Sequence, residues 1–154
     1  MELMDSARVQ GIAKIELRDV NTGEVNIWES GNNVVDNGLN LMLERLVGTS
    51  GMAALGHMAL GSGTGTFLGS ETAMYNEYHR KAITSASCSS NVLTMKTYYT
   101  TAQGNDDVIR EIGLTNAAAS GAGTLIIHLE VSPSQAKTSA KEMVVTNSLT
   151  LSRA

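Results

Sequence analysis

Apolar side chains in this chain recur at every second position, over short segments separated by Gly, Asn and Asp clusters, and only one stretch shows helical spacing. A period of two turns one face of an extended strand toward a core, so the pattern commits most of the chain to a sheet. Residues 8–18 read as a strand with Val9, Ala13, Ile15 and Leu17 on one face. Ile12 breaks the alternation, which predicts a bulge or a strand covered on both faces. The run Asp19-Val20-Asn21-Thr22-Gly23 carries turn chemistry, because Asx side chains bond the local backbone and Gly takes the positive φ. A second strand at about 24–29 completes a hairpin. Further strands are expected at 57–60, near 80–88, near 92–101, at 108–114, at 124–131 and at 143–151. Leu93, Met95, Thr97 and Tyr99 share one face, as do Met143, Val145, Leu149 and Leu151. Residues 72–80 read as a short turn of helix.

The helical exception is a segment at about 38–47, where Leu39, Met42, Leu43 and Leu46 recur at i, i+3, i+4 and i+7. Asn37 is the expected N-cap and Gly48 the left-handed stop. Such a stripe predicts a lid lying across the core. Seven or eight short strands, one helix and no βαβ rhythm define a mainly β fold: an antiparallel β-sandwich or partly open barrel carrying one amphipathic helix. Residues 9–154 are expected to form a single β-rich domain behind an N-terminal arm, residues 1–8. The arm has too little apolar surface to fold alone, and its Leu3 and Met4 are candidate assembly contacts.

Charged residues make up only 17% of the chain and the net charge is −4, with no basic excess to neutralise phosphates, so no nucleic-acid partner is expected. The charge is uneven: residues 1–77 carry −6 and residues 78–154 carry +2. Complementarity between neighbouring subunits would use such a split, and chance scatter also produces it. Ser, Thr and Gly occur 15 times each, a small-residue surface suited to repeated contacts between copies. No apolar run approaches a membrane span of about 20 residues, and the N-terminal residues lack a leader pattern. No membrane partner is expected, and synthesis and folding are expected in a cytoplasm.

Residues that could carry chemistry do not fall into a recognisable constellation. The loop Gly61-Ser62-Gly63-Thr64-Gly65-Thr66 lacks the lysine of a P-loop and the third glycine of a dinucleotide fingerprint. No two of His57, His79 and His128 stand at metal-ligand spacing, and each reads as a surface or strand-flank residue. Asp106, Asp107 and Glu111 lack the spacing of a calcium loop. Cys88, the single cysteine, reads as a packed small hydrophobe. No Gly-x-Ser-x-Gly elbow marks a nucleophile. The chain is therefore expected to be no enzyme, with no catalytic, metal or cofactor-binding residue assigned and no cofactor.

An ordered series of motifs runs through residues 32–138. Asn33-Val34-Val35 with Gly38-Leu39 opens the helix, and Gly61-Ser62-Gly63 follows a short apolar strand. Glu71-Thr72-Ala73-Met74, Glu77 and Arg80 come next, then Arg110-Glu111-Ile112-Gly113-Leu114, Gly123-Thr124-Leu125-Ile126 and Lys137. The series resembles a module of tailed-bacteriophage particle proteins, in which an Asn-Leu-Val…Gly segment precedes a helix and a Gly-Thr-Gly loop precedes Thr-x-Leu…Glu…Arg. There Glu-Ile-Gly-Leu precedes Gly-x-Leu; this chain departs by Ser62 and Met74. The resemblance implies a virion structural protein: capsid decoration (cement), or a collar, baseplate or tail-fibre attachment protein. It also implies a homo-oligomer, a trimer by analogy, that binds other virion proteins. A carbohydrate-binding β-sandwich module is the reading of another class, weakened by the single Trp and single Phe. In this series Gly113 predicts a bulge or a close backbone approach. Glu77, Arg80, Arg110 and Glu111 form either an ion-pair cluster holding segment 72–80 or independent solvated charges.

Overall fold

In the computed structural model, residues 7–49, 51 and 53–153 are described. Leu3 and Met4 lie outside them, while Ala7 and Arg8 of the expected arm already belong to the first strand. The elements are β1 (Ala7–Asp19), β2 (Val25–Val34), α1 (Asp36–Val47), β3 (His57–Gly61), β4 (Glu77–Ala82), β5 (Ser85–Ser89), β6 (Val92–Tyr99), β7 (Asp106–Thr115), β8 (Leu125–Lys137) and β9 (Lys141–Arg153). They form one antiparallel nine-stranded sheet, ordered β4-β3-β7-β8-β2-β1-β9-β6-β5, that curls into a half-barrel. The mainly β expectation with one helix holds. Among the described residues the strands number nine, and segment 80–88 divides into β4 and β5. The expected helical turn at 72–80 is instead irregular chain followed by the start of β4.

β2 is the strand on which the sheet folds over. Residues Val25 to Asn32 pair with β1, while Asn33 and Val34 pair with His128 and Ile127 of β8. The two halves then face each other across a single core. Ala13, Ile15, Leu17, Met95, Tyr99, Met143, Val145 and Leu149 come from one half, and Met58, Leu60, Ile112, Leu114, Ile127 and Leu129 from the other. Trp28 joins that core and donates its indole N–H to the Ser132 carbonyl at 3.1 Å.

Two expectations fail for the same reason: the fold leaves some apolar positions uncovered. Ile12 sits in unbroken register between β2 and β9, on the convex face, 52% exposed. It marks neither a bulge nor a doubly covered strand. Three of the four stripe residues turn outward, with Leu39 40%, Leu43 63% and Leu46 83% exposed; Met42 packs partly against the core, where Gly38 and Leu41 face the protein. Gly38 decides that orientation. A Cβ there would meet the Val34 side chain at 2.8 Å and the Ile126 carbonyl carbon at 3.1 Å, so the helix seats on β8 through its glycine. The N-cap is Val35, without a side-chain bond, rather than Asn37, and Gly48 ends the helix at φ 69° as expected. No described helix is long and apolar enough to cross a membrane. Cys88, expected to be packed, is exposed on β5.

Candidate functional site

The central strands β3, β7 and β8 are buried on both faces. One face supplies the core; the other carries Ala59, Gly61, Gly113 and His128, with Glu111 beside them. Small residues let the irregular segment 62–76 lie directly on that face. A Cβ at Gly113 would meet Met74 Sδ at 2.6 Å, and one at Gly61 would meet the Asn76 carbonyl oxygen at 2.7 Å. At Gly63 it would meet the Asn76 nitrogen at 2.6 Å. Gly113 thus marks a close approach, not a bulge.

Beneath this segment lies a buried polar hub. Glu111 is 0% exposed. Its Oε1 accepts the N–H groups of Gly63 at 3.1 Å and Asn76 at 2.6 Å. Its Oε2 accepts the Tyr75 N–H at 2.9 Å and lies 2.7 Å from His128 Nε2. Burial alone pushes the Glu111 carboxyl up, but the bond from His128 and those from the Asn76 and Tyr75 amides outweigh it and hold it below the usual carboxylate range. Phe67 and Tyr75 flank the His128 ring, with centroids at 4.6 and 5.2 Å. His128 Nδ1 has no hydrogen-bond partner among the described residues.

Two further clasps hold neighbouring loops. Arg80 grips Glu77 through Nε and Nη2 at 2.8 and 2.6 Å, a bidentate pair with both side chains nearly buried. Its Nη1 donates to the carbonyls of Ala117, Ala119 and Ala122 at 2.9, 2.7 and 2.8 Å, which fastens loop 116–123. Gly123 in that loop has φ 78°. Lys137, 1% exposed, donates to the Thr100 carbonyl at 2.9 Å, Asn105 Oδ1 at 2.7 Å and the Thr138 carbonyl at 3.2 Å. Burial pulls its ammonium pKa down. Glu71 accepts the backbone N–H groups of Leu68 and Gly69 and so ties the tip of segment 62–76.

The structure therefore brings Gly61, Gly63, Glu111 and Gly113 into one hub and Glu77, Arg80 and Gly123 into a second. Thr72 is exposed at the rim of a cavity of about 270 Å³ beside Arg80. Leu114 and Leu125 are buried packing residues, Gly38 seats the helix, and Lys137 closes the far end of β8. Asn33 is exposed and contributes its backbone pairing to His128. The four-charge cluster divides: Glu77 and Arg80 pair, Glu111 binds His128 and amides, and Arg110 is exposed. The side chains of Asp106 and Asp107 lie outside the described set.

His128 is the residue that the sequence reading misplaced, since it is fully buried. Its signal was an ionisable side chain inside the apolar run Leu125 to Val131, which requires a buried partner. Among the described residues no three His, Cys, Asp or Glu side chains gather as a metal site. A shallow groove of about 240 Å³ next to the hub is bordered by Phe67, Arg110, Glu130, Ser132 and Ser134. Compared with known protein families, curated proteins and solved structures, the chain matches none.

Proposed function

We propose that this chain is a non-enzymatic structural protein of a tailed-phage particle, in the position of a capsid decoration (cement) protein. A collar, baseplate or tail-fibre attachment protein is the alternative position. The supporting observation is how the motif residues are used. Glu111, Arg80 and Lys137 spend their charged groups on internal bonds that pin loops to a sheet. A catalytic group has to face substrate, and these face their own backbone. The spacing of these residues along the chain then specifies a rigid scaffold.

What such a scaffold offers outward is apolar. Leu39, Leu43, Leu46 and Val47 lie along one exposed side of α1 at 40, 63, 83 and 71% exposure. Apolar residues gathered on one exposed face mark an interaction surface, and the partner assigned here is a neighbouring subunit of the particle. Replacing Leu43 and Leu46 together by Asp tests this. The expected result is a free protein that still folds, with stability lowered by only about 1–2 kcal/mol, and loss of incorporation into particles. Incorporation at the wild-type level removes the helix from the contact.

The groove beside Phe67 supports a second reading, glycan binding, because an aromatic ring there adjoins the charged Arg110 and Glu130 and two serines. Saturable binding on a glycan array, lost in Phe67→Ala, would favour it over the scaffold reading.

A further inference from the structure

We propose that the open edge of β5 pairs antiparallel with β5 of a second copy of this chain, about a twofold axis at Ser87. The inference rests on the reading of the chain as an assembly protein and names one contact that such an assembly uses. The strand order begins at β4 and ends at β5, so these consecutive strands supply both edges of the sheet. They are unlike. β4 is largely half-buried, and Lys81 on it donates to the Tyr98 carbonyl of β6 at 2.7 Å, which ties that edge down. All five residues of β5 are exposed, and β6 is its single strand partner among the described residues. Folded proteins blunt open edges with lysine, proline or a bulge. Ser85-Ala86-Ser87-Cys88-Ser89 has neither residue type, and its register against Val92 to Lys96 is unbroken.

The sequence of this edge fits its own copy. Ser90 and Asn91 make a two-residue turn that leaves Ser89 opposite Val92 as the closing pair. Alternation along an antiparallel ladder then spends the amides of Ser85, Ser87 and Ser89 on β6 and turns those of Ala86 and Cys88 outward. Centring a twofold on Ser87 places Ala86 opposite Cys88 of the second copy, so every outward amide and carbonyl finds a partner. Side chains read serine, small apolar, serine, small apolar, serine in both directions. Ala86 and Cys88 also share the concave face with Leu93 and with Leu151, which is 55% exposed. Pairing therefore joins two partly uncovered apolar ends. A five-residue strand falls well below the roughly 1,000 Å² of a free-standing interface. The contact is accordingly weak in dilute solution and strengthens where copies are held close. A twofold joins copies of neighbouring oligomers instead of building a ring.

Single-cysteine variants of the full chain test the register. In Ser87→Cys with Cys88→Ser, the two cysteines face each other on the axis as a non-hydrogen-bonded pair, with Cα atoms about 4.5 Å apart, inside disulfide reach. In Ser85→Cys with Cys88→Ser they lie on opposite sides of the axis and out of reach. Both variants are oxidised with diamide, in concentrated solution and in assembled particles. The expected result is a covalent dimer from the Ser87 variant at least about tenfold faster than from the Ser85 variant. Adding Ala86→Pro removes an outward donor without touching the ladder to β6, and should abolish the difference. Equal rates at the two positions, cross-linking absent from both, or insensitivity to Ala86→Pro would overturn the pairing. If those results come from a protein that still assembles into particles, the edge contact is wrong and the assembly reading stands.

Discussion

Glu111→Ala removes the carboxylate that four donors share. The variant leaves the N–H groups of Gly63, Tyr75 and Asn76 and the His128 ring beneath a segment that packs through glycines and cannot rearrange freely. Each buried donor left unmade costs about 1–3 kcal/mol, and water reaching the Tyr75 and Asn76 amides reduces the sum. Four such donors, two of them partly reached by water, set an expected loss of about 3–5 kcal/mol. That is a large fraction of the roughly 5–15 kcal/mol by which a domain is stable. Glu111→Gln keeps the shape but turns an NH₂ group toward at least one donor, so about 2–3 kcal/mol should be lost. The assay is denaturant unfolding followed by circular dichroism at neutral pH. The same site sets a pH dependence. Because the folded carboxyl titrates below its unfolded value of 4.5, its contribution is present above pH 4.5 and disappears as pH falls through the lower folded value. Wild-type stability should fall steeply in that acid window, and Glu111→Gln should fall less. A Glu111→Ala loss under about 1 kcal/mol, or matching acid slopes, would refute the hub as a structural element.

Other outcomes follow from burial and close approach. Leu43→Ala should cost about 1 kcal/mol and Leu46→Ala less, since most of each side chain is already in water, whereas Leu41→Ala, at 6% exposure, should cost about 2–5 kcal/mol; thermal melts compare them, and equal losses would mean the helix is seated differently. Gly63→Ala should destabilise by about 1–3 kcal/mol, because the added methyl meets the Asn76 backbone; unchanged unfolding midpoints would contradict that packing. Lys137→Met keeps the stem volume but strands the Thr100 and Thr138 carbonyls, and should cost about 1–3 kcal/mol by denaturant titration; a gain in stability would show that the buried ammonium is a net burden.

The alternation of β1, β6 and β9 was legible because one face of each meets the core and the other meets water. Ile15, Met95, Tyr99 and Val145 fall where a period of two puts them. The strands β3 and β8 carry near-continuous apolar runs and β7 mixes charged with apolar residues, although all three are covered on both faces, so periodicity could not tell which face held the polar hub. The helix was legible as a helix and misread as a lid. Leu39, Leu43 and Leu46 outnumber the small Gly38, but close backbone approach at Gly38 fixes the orientation, and a pattern of hydrophobicity carries no weight for a missing side chain. For the hub, Glu111 and Arg80 were visible as charged residues beside short Gly-containing motifs. Their partners were not, because backbone amides and carbonyls of loops have no sequence signature. His128 offered a signal in its apolar surroundings, and only the pairing of β7 with β8 shows that Glu111 receives it.

Location in the particle tests the central claim most directly. On the proposed reading the gene belongs to a tailed phage; the chain, carrying a C-terminal epitope, is expressed during infection by that phage, and purified particles are assayed by mass spectrometry and imaged with a labelled antibody fragment. The account predicts a stoichiometric component at regular positions on the shell, with collar, baseplate or fibre labelling as the alternative position. Particles that contain none of the chain while it accumulates in the lysate would contradict the structural role altogether.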